Sequence, residues 1–183
     1  MDVTYDERKF RELVLYVAER LRHDTAGGTT KQVDALYFAE FAHVRRTGRP
    51  ISGAEYHRLG RAPVPRRLLP VRRELLESGD AELVRVEFLG HEQRRLQPRR
   101  AADRSVLADD EVATVEAVLG DLAPLSGRQV GELAQEEPAW RLCSDGETIP
   151  HAAALIAQRQ VSTATARRLG AEVARRYGVD GAR

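Results

Sequence analysis

Among 183 residues there is one cysteine, one tryptophan and one methionine. A single thiol, Cys143, cannot close an internal disulfide and falls short of any cysteine-based zinc site, so the expected setting is a reducing cytoplasm. Lysine is almost missing as well: Lys9 and Lys31 stand alone among 29 basic residues, leaving 27 arginines. No N-terminal stretch has the apolar centre of a signal peptide, and no run is apolar enough to cross a bilayer, which excludes a membrane partner. Gly27-Gly28 lacks the lysine of a phosphate-binding loop. Glu40-x-x-His43 has the one-turn spacing of a metal-sharing pair but no second copy, and a di-metal bundle requires one. Internal repeats and low-complexity tracts are absent, and neither cofactor nor metal is expected.

What remains is an ordinary globular balance. Hydrophobic residues make up 42% and charged residues 31%, with a net charge of +1. That supports one domain, or one domain and a tail, with a proper core. The most apolar stretch begins at Thr30. Val33, Leu36, Tyr37, Phe41 and Val44 fall at steps of three and four, while Ala35, Phe38, Ala39 and Ala42 make the opposite side apolar too. A helix apolar nearly all round is a central buried helix. Gly48 and Pro50 stop it.

The flanking segments take their places around that helix. Thr4-x-x-Glu7 reads as a capping box for a first helix with Phe10, Leu13, Val14, Val17 and Leu21 inward and Arg8, Lys9, Glu12, Glu19 and Arg20 toward water. Residues 54–59 alternate as a short strand. Pro65 suits the first turn of a third helix, with Pro70 forcing a kink or a later start. Residues 83–89 and 94–97 read as a hairpin joined by 90–93. Asp109-Asp110-Glu111 opens a fourth helix, Ser126 caps a fifth, and Trp140 is a core anchor. Helices from Pro150 to about Gln158 and from Ser162 to Tyr177 close the chain. The fold class is α+β, predominantly α-helical: a helical bundle around a central buried helix with a small antiparallel sheet or hairpin.

Several side chains are candidates for chemistry. Glu40 lies in the apolar stripe and requires a buried partner, for which Arg58 and Arg61 are available, or a path to solvent. Cys143 and His151 offer a thiol and a base, but no oxyanion loop or third orienting residue follows them, so catalysis is not expected. Residues 56–73 hold His57, Arg58, Arg61, Arg66, Arg67, Arg72 and Arg73 with no acidic residue. That segment is either a solvated face or a landing site for an acidic surface. Ser162, Thr163, Thr165, Arg167 and Arg168 would face a groove if the last two helices formed a helix-turn-helix, although Gly170 interrupts the reading helix. A capping or partner-binding helix through Ala166, Leu169, Val173 and Tyr177 is the other use.

The order of features resembles a known family. Lys31 leads a helix with Leu36-Tyr37-Phe38 at its centre, followed by Phe41 and His43 and a Thr47-Gly48-Arg49-Pro50-Ile51 turn. Glu55-Tyr56, Pro63-Val64-Pro65, Glu136 to Trp140 and Glu147 to Pro150 come next. This series is similar to the Panacea domain, the SocA-like antitoxin family of bacterial and phage toxin–antitoxin pairs. Ala62 stands where the family usually has glycine, and the helix start is poorer in leucine. The resemblance implies a domain over 1–158 with a C-terminal helical extension over 159–183. It implies a non-enzymatic protein that binds a cognate toxin and blocks it. The surface expected to do so combines aromatic and arginine content around both ends of the central helix and its turn: Lys31, His43, Arg45, Arg46, Arg49, Tyr56 and Arg66. The rivals are a DNA-binding autorepressor using the C-terminal helices, a proteolytic adaptor and a metal hydrolase; a homodimer is also open.

Overall fold

The computed structural model describes residues 3–88 and 90–156. The chain is α+β and predominantly helical. Its elements run α1 (Glu7–Arg20), α2 (Thr29–Thr47), β1 (Tyr56–Leu59), β2 (Ala62–Pro65), α3 (Leu68–Glu77), β3 (Ala81–Phe88), β4 (His91–Pro98), α4 (Asp109–Leu122), α5 (Gly127–Glu136), α6 (Pro138–Arg141) and β5 (Thr148–Ile149). The second of the two last expected helices and the extension over 159–183 lie outside the described residues. A 3-10 turn, His151–Leu155, replaces the expected helix from Pro150.

Helix α2 is the axis. Leu36, Tyr37, Ala39, Phe41 and Val44 are fully buried, because α1, α4, α5, β2 and the 151–155 turn pack around it. It ends where Gly48 takes φ +77°, a left-handed cap whose N–H donates to the Val44 carbonyl at 2.8 Å. A residue with a Cβ enters that region only with strain, which is why glycine sits there.

Three local expectations are corrected. Asp6, not Thr4, caps α1: its side chain accepts the Lys9 N–H at 2.9 Å from an extended backbone. Pro65 ends β2 and does not open α3, which starts at Leu68. Strand β2 is an edge of the sheet ordered β2-β1-β5, where a proline costs no ladder bond. Pro70 then falls in the first turn of α3, whose N–H groups need no helical acceptor. In the β3–β4 hairpin Phe88 pairs with His91, so the turn is two residues with Gly90 at φ +77°, shorter than the expected 90–93 link.

Glu12 also departs from expectation. It belongs to the polar face of α1 but is buried, because residues 98–104 fold back over it. Arg100 donates to both carboxylate oxygens at 2.7 and 2.8 Å, and the Asp103 N–H adds a bond of 2.7 Å. Burial alone would raise the Glu12 carboxyl, but this forked pair holds it below its ordinary range.

Candidate partner-binding surface

Helix α2 carries most of the expected contact residues, and its burial sorts them. Lys31 is buried in the first turn of α2. Its ammonium donates to the Leu125 carbonyl at 2.7 Å and pairs with Asp24 Oδ2 at 2.6 Å. His43 is buried against α4, with Nδ1 3.0 Å from Thr114 Oγ1. Thr114 gives its one hydroxyl proton to the Asp110 carbonyl at 2.8 Å, so Nδ1 must be the donor and carries the hydrogen. Burial pushes the imidazole pKa down, with Asp110 opposing. Tyr56 is fully buried, its ring 5.8 Å from Phe41 and 5.7 Å from Tyr37. Such aromatic contacts add about 0.5–1.5 kcal/mol each beyond burial. As folded, these three serve the interior and present nothing to a partner.

The arginines divide differently. Arg45, Arg46 and Arg49 gather at the last turn of α2 and the loop beyond it. Arg45 binds the Glu137 carboxylate and donates through Nε to the Ala154 carbonyl at 3.2 Å, which ties α2 to α6 and the 151–155 turn. Arg46 donates to the Asp110 carbonyl. Arg49 is exposed and makes no ion pair among the described residues. Arg66 lies apart, 3.0 Å from Glu55 in an exposed pair of little net energy. It lines a cleft of about 620 Å³ with Arg67, Tyr5, Ile149 and His151. Lys31 and Arg45 are separated by fourteen residues of helix, about 21 Å at 1.5 Å each. The seven residues therefore do not form one patch.

The loop after α2 is held from inside. Glu40 is fully buried and accepts from the Ile51 N–H at 2.7 Å, the Ser52 N–H at 3.0 Å and the Ser52 hydroxyl. Its partners are this loop's backbone and the Ser52 hydroxyl, not Arg58 or Arg61. Arg58 instead donates to the Cys143 carbonyl at 2.6 Å and lies 4.7 Å over the Trp140 ring. Glu40 and His43 are thus engaged by different elements. Cys143 and His151 are separated likewise. The thiol is 3.3 Å from the Ala139 carbonyl and burial pushes its pKa up; the imidazole stacks on Phe41 at 5.5 Å. No group of three or more metal-ligating side chains occurs among the described residues. No helix among them is long and apolar enough to cross a membrane.

Asp34 escaped the sequence reading. It is fully buried beneath α5, its two carboxylate oxygens lack hydrogen-bond partners among the described residues, and burial raises its pKa to about 7. The folded protein therefore keeps a proton between about pH 4 and pH 7 that the unfolded chain has released, so stability falls across that window and levels above it. Asp34→Asn is expected to raise stability at pH 8 by about 1–3 kcal/mol and to leave it little changed at pH 4. Urea denaturation at the two pH values checks this; equal effects at both would sink it. The signal in the sequence was the matched spacing of Thr30-x-x-x-Asp34 and Gly127-x-x-x-Gly131.

No curated protein and no solved structure matches the chain. A family model described as "Antitoxin SocA-like, Panacea domain" matches residues 35–141, from the second turn of α2 through α6. That stretch is more than half of the chain and contains α2 from its second turn on, the Glu40-held loop and the β1–β2 hairpin, and the chain therefore belongs to the SocA-like antitoxin, Panacea-domain family.

Proposed function

We propose that the protein is an antitoxin that neutralises a cognate toxin protein by direct binding in the cytoplasm, without transforming a substrate. Membership of the SocA-like antitoxin family carries this reading. The rigid setting of α2 is consistent with it: a surface held in advance loses less conformational entropy on association. Among the seven residues first considered, Arg49 and Arg66 are the exposed arginines whose side chains do not brace one helix against another. They are the proposed contacts from that set, offering planar forks to carboxylates on the toxin.

Co-expression with the protein encoded beside this one is the direct test. Growth rescued by the chain, together with a purified complex stable at 0.5 M salt, is the expected result. Arg49→Glu and Arg66→Glu are each expected to weaken the complex about tenfold, equivalent to about 1.4 kcal/mol, without changing the melting temperature. Equal toxicity with and without the chain would remove the reading. Binding to DNA that collapses between low and moderate salt would favour an autorepressor instead.

A further inference from the structure

A cleft of about 540 Å³ opens between α2 and α5, with Asp34 at its floor. Thr30 and Asp34 line it from one turn of α2, and Gly127 and Gly131 from one turn of α5. Two glycines on the facing turn leave a slot where side chains would otherwise stand. A Cβ at Gly131 would meet only Asp34 Oδ2, at 3.6 Å. A carboxylate oxygen therefore lies just behind Gly131, closed off from the slot as folded. Both oxygens of Asp34 are unpartnered, and no part of the residue reaches bulk water.

The nearby charges do not satisfy it. Lys31, on the same helix, is committed to Asp24 and the Leu125 carbonyl. Arg128, on α5, donates through Nε to Glu132 at 2.9 Å. Arg61, at the β1–β2 turn, is exposed on the rim, and its carbonyl accepts from Gln135 at 3.0 Å. The rim carries Arg61, Arg128 and Glu132, and Arg128 is already paired with Glu132, while the floor is the acid Asp34. A buried carboxyl without donors is costly, and that cost is recovered when donors arrive. An ammonium brings a point charge to one oxygen. A planar guanidinium brings two parallel N–H groups in the spacing of a carboxylate, and so satisfies both.

We propose that this slot is a receptor for an arginine side chain of the bound partner protein, which enters beside Gly131 and closes a two-bond pair on Asp34. The proposal rests on the reading that the chain binds a protein. Because the oxygens are sealed from water, the rim side chains must shift to admit the guanidinium, and the pair once closed is shielded from competing solvent. Burial of this kind places the effect on dissociation more than on encounter.

The full chain is titrated with methylguanidinium chloride while the Asp34 carboxyl carbon is followed by NMR. A saturable shift is expected, absent in Asp34→Asn, retained in Arg61→Ala, and at least tenfold weaker in concentration dependence with methylammonium. The absence of a saturable shift with methylguanidinium overturns the proposal. So does finding Asp34 already paired with Arg61, seen as an Arg61→Ala variant that moves the carboxyl signal before any ligand is added. Guanosine monophosphate, whose base edge also offers paired N–H donors, is expected to give no shift; if it binds and methylguanidinium does not, the ligand is a nucleotide and the proposal falls. With the cognate toxin, Asp34→Asn is expected to weaken the complex at least tenfold through faster dissociation. Gly131→Ala, which favours the helix while narrowing the slot, is expected to act in the same direction. A toxin held equally by wild type and Asp34→Asn overturns the slot and leaves the antitoxin reading in place. Methylguanidinium binding without toxin binding supports the slot and removes the antitoxin reading.

Discussion

Glu40→Ala is expected to cost about 3–5 kcal/mol, a large part of the stability of a domain this size. The carboxylate accepts two backbone N–H groups and a hydroxyl from Ile51 and Ser52, all inside the fold. Removing it strands those donors away from water, where each unmade bond costs about 1–3 kcal/mol. A void then adds to the loss. The loop it holds also carries Gly53 at φ +72°, where a Cβ would collide with the Thr4 carbonyl, so the N-terminal residues lean on the same support. Asp6 donates its N–H to the Ser52 carbonyl at 2.8 Å, which joins the start of α1 to this loop. Glu40→Gln keeps one acceptor oxygen and is expected to fall between alanine and wild type. Guanidinium denaturation at pH 7 measures all three. If the alanine variant matched wild type, Glu40 would not be what fixes the loop.

Lys31→Met is expected to cost about 2–4 kcal/mol, although methionine matches the length of the aliphatic stem. The lysine side chain has no exposed surface, and its ammonium joins Asp24, in the loop before α2, to the Leu125 carbonyl just before α5. Taking the cation away leaves a carboxylate and a carbonyl facing an apolar group. Asp24 retains 17% exposure and can recover part of its hydration, which keeps the cost below that of a fully buried broken pair. The same variant separates two roles for Lys31. A stability loss with toxin affinity unchanged at low temperature identifies a structural residue; affinity lost with stability intact would restore Lys31 to the contact surface.

The large elements were legible because their causes are local. The three-and-four spacing from Val33 to Val44, the glycine at 48, the acidic opening at Asp109 and the Ser126 cap each act within a turn or two of chain, and each is seen. What escaped depends on segments distant in sequence. Glu12 reads as a surface residue until Arg100 arrives to bind it. Glu40 reads as needing a buried partner such as Arg58 or Arg61, or a path to solvent, but a loop eleven residues on offers N–H groups aimed at it. Pro65 reads as a helix start because nothing nearby reveals that β2 will be an edge strand. Contact residues chosen for aromatic or cationic character mixed surface with interior for the same reason. Tyr56 and Lys31 are interface types by composition, yet packing encloses them. Asp34 looks ordinary in its own helix because its meaning lies in what α5 fails to provide opposite it.

Strand β1 is flanked by a neighbour that follows at once and by another from far along the chain: β2 is its hairpin partner, whereas β5 lies about ninety residues downstream. During synthesis the hairpin can form early, but its other edge, at Tyr56 and His57, has no strand to meet until Thr148 and Ile149 leave the ribosome. Until then the nascent protein presents an open ladder beside its most aromatic cluster, a place where unfinished copies can stick to one another. Strand β5 thus acts as a latch on timing: a chain interrupted before it carries α1 to α6 and still leaves that seam unsealed.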